Sequence, residues 1–145
     1  MFETGCRIPK SEKMKILVGY VASSQGEAAL HKGIEEARLR NAELVVVHAP
    51  PTSDRLALEQ LDEDRAQIEM LRRLLRNEGI PHEVLLLPSD SNASEEIIRL
   101  ATVEGIDLIV IGIRRRSTVG KLLLGSTAQD LLLNAPCPVL SVHAG

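Results

Sequence analysis

The sequence predicts an α/β fold: a single-domain, doubly wound, five-stranded parallel sheet with helices on both faces. Short apolar runs alternate along the chain with longer segments whose apolar residues recur at helical spacing. Near-continuous apolar runs are typical of strands buried on both faces, and regular alternation indicates right-handed crossovers between parallel strands. The length of 145 residues suits one domain. Because Phe2 and Tyr20 are the two aromatic residues of the chain, the core must be aliphatic.

Five strands are predicted from apolar runs that glycine, proline or polar residues bound. They cover residues 15–21, 43–49, 82–87, 107–111 and 138–143. Pro50 and Pro51 forbid continuation of the second strand, and the fourth strand ends at Gly112.

Four helices fill the intervals, and each has a predicted N-terminal cap. The caps are a capping box of Ser24 with Glu27, then Asp54, then Asn92 with Glu95, and finally Ser126 or Thr127. The second helix runs to about residue 77 and the fourth to about residue 134. The acidic run of the second helix, 62–64, is predicted to lie on a solvated face.

The ends of the chain and its overall charge exclude several classes of protein. Residues 1–13 lack the apolar core of a signal peptide, so we expect a flexible N-terminal tail followed by one domain over 14–145. No apolar run reaches the ~18–20 residues of a membrane helix. The net charge of −3 argues against nucleic acid as a partner. Cys6 and Cys137 form no paired spacing, which predicts a reducing cytoplasm.

The stretch 107–127 holds the main candidate site, a strand followed by a basic, glycine-containing loop and a helix start. Backbone amides and the positive end of the helix dipole converge at such a place and suit a phosphate. The candidate phosphate ligands are Gly112, Arg114, Arg115, Arg116, Gly125, Ser126 and Thr127. A Walker A loop is excluded, because Leu122 follows Gly120-Lys121 and Arg115 stands where the first glycine belongs.

The spacing of this loop resembles that of the universal stress protein family. The nucleotide-binding branch of that family carries Gly, two residues, Gly, nine residues and then Gly-Ser. Gly112 and Gly125-Ser126 match this pattern, and Arg115 replaces the second glycine. The closing segment 134–140, NAPCPVL, also matches the family. The resemblance extends over 14–143 and implies a Rossmann-like sheet of order 3-2-1-4-5, as in adenine nucleotide alpha hydrolases.

The resemblance also implies where a nucleotide binds and shows where this chain departs from the family. Gly19, Tyr20 and Val21 end the first strand at the expected switch point between strands one and four. The family has an Asp that contacts the nucleotide at the position of Val21. Tyr20 is predicted to stack, to hydrogen-bond or to pack. Ala49 matches a position that contacts adenine through its backbone.

Catalytic and metal chemistry have little support. The four histidines share no metal-ligand spacing, and His48 and His143 are predicted to be packed or at an edge. No nucleophile has a neighbouring base, so at most slow ATP hydrolysis is expected.

Three functions remain open: an adenine-nucleotide-binding (ATP or AMP) stress regulator, a non-nucleotide interaction module of the same family, and an adenylating enzyme. The last needs a Ser-Gly-Gly-type loop after the first strand, and residues 20–24 are YVASS. The apolar edge strand 138–143 predicts self-association, and the resemblance implies an antiparallel homodimer through it.

Overall fold

The computed structural model describes residues 13–49, 57–88, 91–114 and 125–144. Strands and helices alternate throughout, as predicted. In chain order the elements are β1 (Lys15–Tyr20), α1 (Ser24–Arg40), β2 (Glu43–His48), α2 (Ala57–Glu78), β3 (His82–Leu86), α3 (Ala93–Val103), β4 (Leu108–Ile113), α4 (Ser126–Asn134) and β5 (Val139–His143).

The five strands form one parallel sheet in the order β3-β2-β1-β4-β5, which confirms the predicted fold class and strand order. The central strand is β1: Val18 pairs with Val46 of β2 on one side and with Val110 of β4 on the other. Strand order reverses between β1 and β4, so the crevice of the switch point opens beyond their carboxyl ends.

Two apolar layers cover the sheet. One face of β1 carries Ile16 and Val18, which pack with buried residues of α1 and α2 such as Leu30 and Leu71. Leu17 points to the opposite face and packs with Ile97 of α3. Because β1 is buried on both faces, its apolar residues run without the alternation that a half-exposed strand would show.

Element boundaries agree with the prediction to within one or two residues, but two helix caps do not. The N-cap of α1 is Ser23, whose hydroxyl accepts from the amide of Gly26 at 3.3 Å, so the predicted capping box at Ser24 is wrong. The N-cap of α4 is Gly125, so neither Ser126 nor Thr127 caps it. The cap at Asn92 is confirmed, because its side chain accepts from the Glu95 amide at 3.2 Å.

The acidic run on α2 is not wholly solvated as predicted. Asp64 is buried, with 6% of its surface exposed, and its Oδ1 accepts from the Gln60 side chain at 2.8 Å. The same carboxylate oxygen lies 3.8 Å from Nε2 of His48, which is itself buried. The helical period therefore turns the third acid of the run inward, towards a histidine of β2.

Several predictions concern residues outside those described: the cap at Asp54, the arginines Arg115 and Arg116, and all but the last residue of the predicted tail. Within the described ranges, no helix has the length and apolar character needed to cross a membrane.

Candidate functional site

A cavity of about 400 Å³ opens at the carboxyl ends of the central strands, at the predicted switch point. This volume lies within the usual ~300–1,000 Å³ of ligand pockets. Nine of the eleven predicted site residues line it: Gly19, Tyr20, Val21, Ala49, Gly112, Arg114, Gly125, Ser126 and Thr127. The other two, Arg115 and Arg116, lie outside the described residues. The loop and strand-end residues that the sequence singled out therefore meet at one place, and their contact with a nucleotide stays a prediction.

The start of α4 is the most suitable anion site in the cavity. The starts of α1, α3 and α4 contribute Gly26, Ala93 and Ser126 to its walls. The N-cap side chains of α1 and α3 bond to amides of those helices, whereas Gly125 gives α4 no side-chain cap. The first amides of a helix have no partner within it, so those of α4 remain available. An anion placed there would gain both hydrogen bonds and the favourable end of the helix dipole.

Charge in the cavity has one sign among the residues described. Arg114 is its one charged side chain there, at the end of β4, and no Asp or Glu is among the lining residues. Much of the remaining wall is apolar: Val21, Val47, Ala49, Ala93, Ile97, Ile111, Ile113, Ala128 and Leu131. The arrangement suits a ligand with an anionic end and an apolar, planar end.

The two loop glycines that match the family spacing, Gly112 and Gly125, have different surroundings. A Cβ atom on Gly112 would lie well under 3.0 Å from the backbone carbonyl of Gln25, in the first turn of α1. The protein's own packing therefore requires glycine at 112, whatever ligand binds. A Cβ atom on Gly125 would meet nothing within 4 Å among the described residues, so their packing does not explain that glycine.

Tyr20 borders the cavity, but its polar atom is already engaged inside the protein. The hydroxyl donates to Oε1 of Glu27 at 2.7 Å, and the ring centroid lies 5.7 Å from that of His48. Burial, and then the hydrogen bond to Glu27, raises the pKa of Tyr20. Of the three roles predicted for this tyrosine, packing is the one that these contacts favour.

A buried serine holds the starts of α3 and α4 near each other. The hydroxyl of Ser94 lies 2.8 Å from Oδ1 of Asn92 and 3.0 Å from Oδ2 of Asp130 in α4. A hydroxyl has one proton, so it donates to one of these oxygens at a time. The contact fixes the uncapped start of α4 relative to the wall that α3 provides.

Sequence reasoning missed Gln25, which also lines the cavity. Its side-chain Oε1 is buried and has no hydrogen-bond partner in the part of the chain that the structure describes. A signal was present: a helix that begins directly after the carboxyl end of a central strand places its first turn at the switch point. The described residues contain no group of three or more potential metal ligands.

Comparison with known proteins agrees with this architecture. The model of the universal stress protein family matches residues 13–143. A universal stress protein of Mycolicibacterium smegmatis is 40% identical over 127 residues, covering 88% of this chain and 95% of the relative. A universal stress protein structure from Archaeoglobus fulgidus has 35% identity and a TM-score of 0.73, covering 89% of this chain and 98% of that one.

A second structure of a universal stress protein from Archaeoglobus fulgidus was solved in complex with dAMP. It shares 31% identity with this chain at a TM-score of 0.68, and the match covers 89% of this chain and 97% of that one. The family model thus spans from before β1 to the end of β5, and the relative and both structures each match nearly nine tenths of this chain. On these grounds the chain belongs to the universal stress protein family.

Proposed function

We propose that this protein binds an adenine nucleotide, ATP or a related mono- or diphosphate, in the cavity beyond β1 and β4. It would then act as a stress-response regulator whose state follows the bound nucleotide. The observation that carries the proposal is that the uncapped start of α4 and Arg114 both line a cavity whose other walls are largely apolar. The arginine and the free helix amides suit phosphates, and the apolar walls suit a base.

The relative with bound dAMP supports the choice of an adenine nucleotide. That protein from Archaeoglobus fulgidus is 31% identical and matches nearly its whole length to this chain. Its ligand combines a phosphate with an adenine base, the two chemical characters that the cavity walls here accommodate.

Binding energy is expected to lie mainly at the phosphate end. Val21 lines the cavity without the carboxylate that the family has at this position, and one lost hydrogen bond costs about 0.5–1.5 kcal/mol. A charge-assisted contact from an arginine contributes about 1.5–3 kcal/mol. Because the larger contribution is ionic, ATP and ADP should bind more tightly than adenosine, and their affinity should fall as salt is added.

Isothermal titration calorimetry with ATP, ADP and adenosine, at low and high salt, tests this proposal. Arg114→Ala should weaken ATP binding and leave adenosine binding unchanged. The matched control is Arg40→Ala, because Arg40 lies at the last turn of α1, away from the cavity, and pairs with Glu36 at 3.0 Å. Mass spectrometry of small molecules released from protein purified without added ligand would identify a nucleotide carried from the cell.

Arg115→Gly tests the departure from the family's glycine pattern. If the arginine substitutes chemically for the missing amide contacts, its removal weakens ATP binding. If its side chain blocks the close approach that glycine allows, removal strengthens ATP binding. Undetectable binding of millimolar ATP by both the wild type and this variant would overturn the nucleotide proposal.

The second candidate is an interaction module of the branch that binds no nucleotide. Two observations favour it: Val21 removes a polar contact, and Gly112 is explained by the packing of α1 alone. Under this alternative the cavity stays unused, and function resides in protein surfaces. The calorimetric result above separates the two candidates.

We also propose a homodimer contact at β5. Among the described residues this strand pairs with β4 alone, and Val139, Leu140 and Val142 are half-buried. The Ala144 amide donates to Ile113, and the Pro138 carbonyl accepts from Ile109, so residues 138, 140, 142 and 144 direct their backbone groups towards β4. Residues 139, 141 and 143 direct theirs to the open edge, where an antiparallel second copy would pair across a two-fold axis.

The cellular compartment that fits this proposal is the cytoplasm. The support is the sequence itself, whose two cysteines show no pairing pattern of a secreted, disulfide-stabilised domain.

A further inference from the structure

The first turn of α1 carries a polar side chain that the known features of the fold do not explain. Gln25 lines the cavity, and its Oε1 is buried without a hydrogen-bond partner among the described residues. Buried polar atoms in proteins nearly always have a partner, so an unpartnered one at a cavity wall indicates a missing donor.

The position of Gln25 identifies which part of a ligand would supply that donor. The groups that suit an anion are Arg114 and the start of α4, and an apolar wall lies at the end of β2, at Val47 and Ala49. In the sheet β1 stands between β2 and β4. The middle of a ligand that reaches from one end to the other therefore lies over the end of β1 and the first turn of α1.

The contact with Gly112 also places Gln25 near the middle of the cavity. The backbone carbonyl of Gln25 packs so closely on Gly112 that a Cβ atom there would overlap it. Gln25 thus sits across the crevice that separates β1 from β4. Between the base and the phosphates of a nucleotide lies the sugar, whose hydroxyl groups are hydrogen-bond donors.

We propose that Gln25 is a specificity-determining residue whose carboxamide oxygen accepts a hydrogen bond from a sugar hydroxyl of the bound nucleotide. This inference rests on the proposed nucleotide binding and adds the group that reads the sugar. Val21, where the family has a carboxylate, offers no acceptor on its side chain. The carboxamide of Gln25 supplies one from the neighbouring helix without adding negative charge beside the phosphates.

The test compares ATP with 2′,3′-dideoxy-ATP on the wild type, on Gln25→Met and on Gln67→Met. Methionine keeps the length of the side chain and removes its hydrogen-bonding groups. Gln67 is the matched control, because its Oε1 is also buried without a described partner, but it lies on α2 and does not line the cavity. Thermal unfolding of each variant checks that it is folded.

Gln25→Met should weaken ATP binding about two- to tenfold, the usual effect of one hydrogen bond, and leave dideoxy-ATP binding unchanged. Gln67→Met should change neither. Equal weakening of both ligands, or of neither, would overturn the assignment of Gln25. So would wild-type protein that binds both nucleotides equally, a result that requires no variant. A wild type that binds no ATP would instead show that the nucleotide proposal itself has failed, and this inference with it.

Discussion

Gly112→Ala separates the two explanations of the glycine at the end of β4. If this glycine serves only to let a ligand approach, the substitution should leave the stability of the ligand-free protein unchanged. The structure predicts otherwise, because the new methyl group would overlap the backbone carbonyl of Gln25. The overlapped atoms belong to the first turn of α1, so relief requires movement of the helix start rather than rotation of a side chain.

The expected loss of stability follows from two opposing effects. Overpacking of this kind costs about 1–3 kcal/mol or more. Replacing glycine restricts the unfolded chain and returns about 0.4–1 kcal/mol. Because the overlapped atoms are backbone, the cost should lie at the upper end of the first range, and the free energy of unfolding should fall by about 2–3 kcal/mol. The melting temperature should fall by about 2–4 °C for each kcal/mol in a chain of this size.

Urea unfolding without nucleotide measures this loss, with Gly125→Ala as the matched control. Gly125 has φ −66°, which alanine adopts readily, and a Cβ atom there meets no described residue within 4 Å. Its variant should stay within about 0.5 kcal/mol of the wild type, the usual range for substitutions that disturb no packing. If Gly112→Ala is as stable as the wild type, the packing explanation is refuted, and close approach of a ligand remains as the explanation of this glycine.

Three further predictions concern other parts of the chain. Ser141→Pro should shift the protein from dimer to monomer by light scattering, because it removes an amide at the open edge of β5 and leaves the β4 ladder intact. Stability should fall as pH drops below about 6.5, since burial lowers the pKa of His48, opposed by the Asp64 carboxylate, and the unfolded chain then binds more protons. His48→Gln should reduce that pH dependence. A chain that starts at Met14 should unfold within about 1 kcal/mol of the full chain.

Each of these has a result that would contradict it. A monomeric wild type at tens of micromolar would remove the dimer proposal before any variant is made. For the pH dependence, the matched control variant is His31→Gln, which replaces an exposed histidine of α1. Equal slopes for the wild type and His48→Gln would show that another group titrates. A loss of several kcal/mol on truncation would show that residues before Met14 are packed.

The alternation of apolar runs and helical segments was sufficient to predict the fold class, all nine elements and most boundaries. Strands such as 44–47, LVVV, are buried on both faces, which leaves so short a run without polar positions. Strand order came from the resemblance to a family. The predicted residues at the strand ends also line one cavity, because every parallel strand directs its carboxyl end to the same edge of the sheet.

What the sequence did not determine were side-chain contacts between one element of the fold and another. The capping box at Ser24 satisfied the local rule, but Glu27 bonds to Tyr20, a residue of β1, and Ser23 takes the cap. Asp64 belonged to an acidic run and was therefore expected in solvent, yet the packing of α2 turns it towards His48.

The glycine pattern shows the same division most clearly. From the sequence, Gly112 and Gly125 were equivalent parts of one phosphate-binding motif. Tertiary structure distinguished them, because the backbone of α1 occupies the space beside Gly112 and leaves the space beside Gly125 open. The sequence shows only that both positions lack a side chain. Only the arrangement of the elements decides whether that absence makes room for the protein itself or for a ligand.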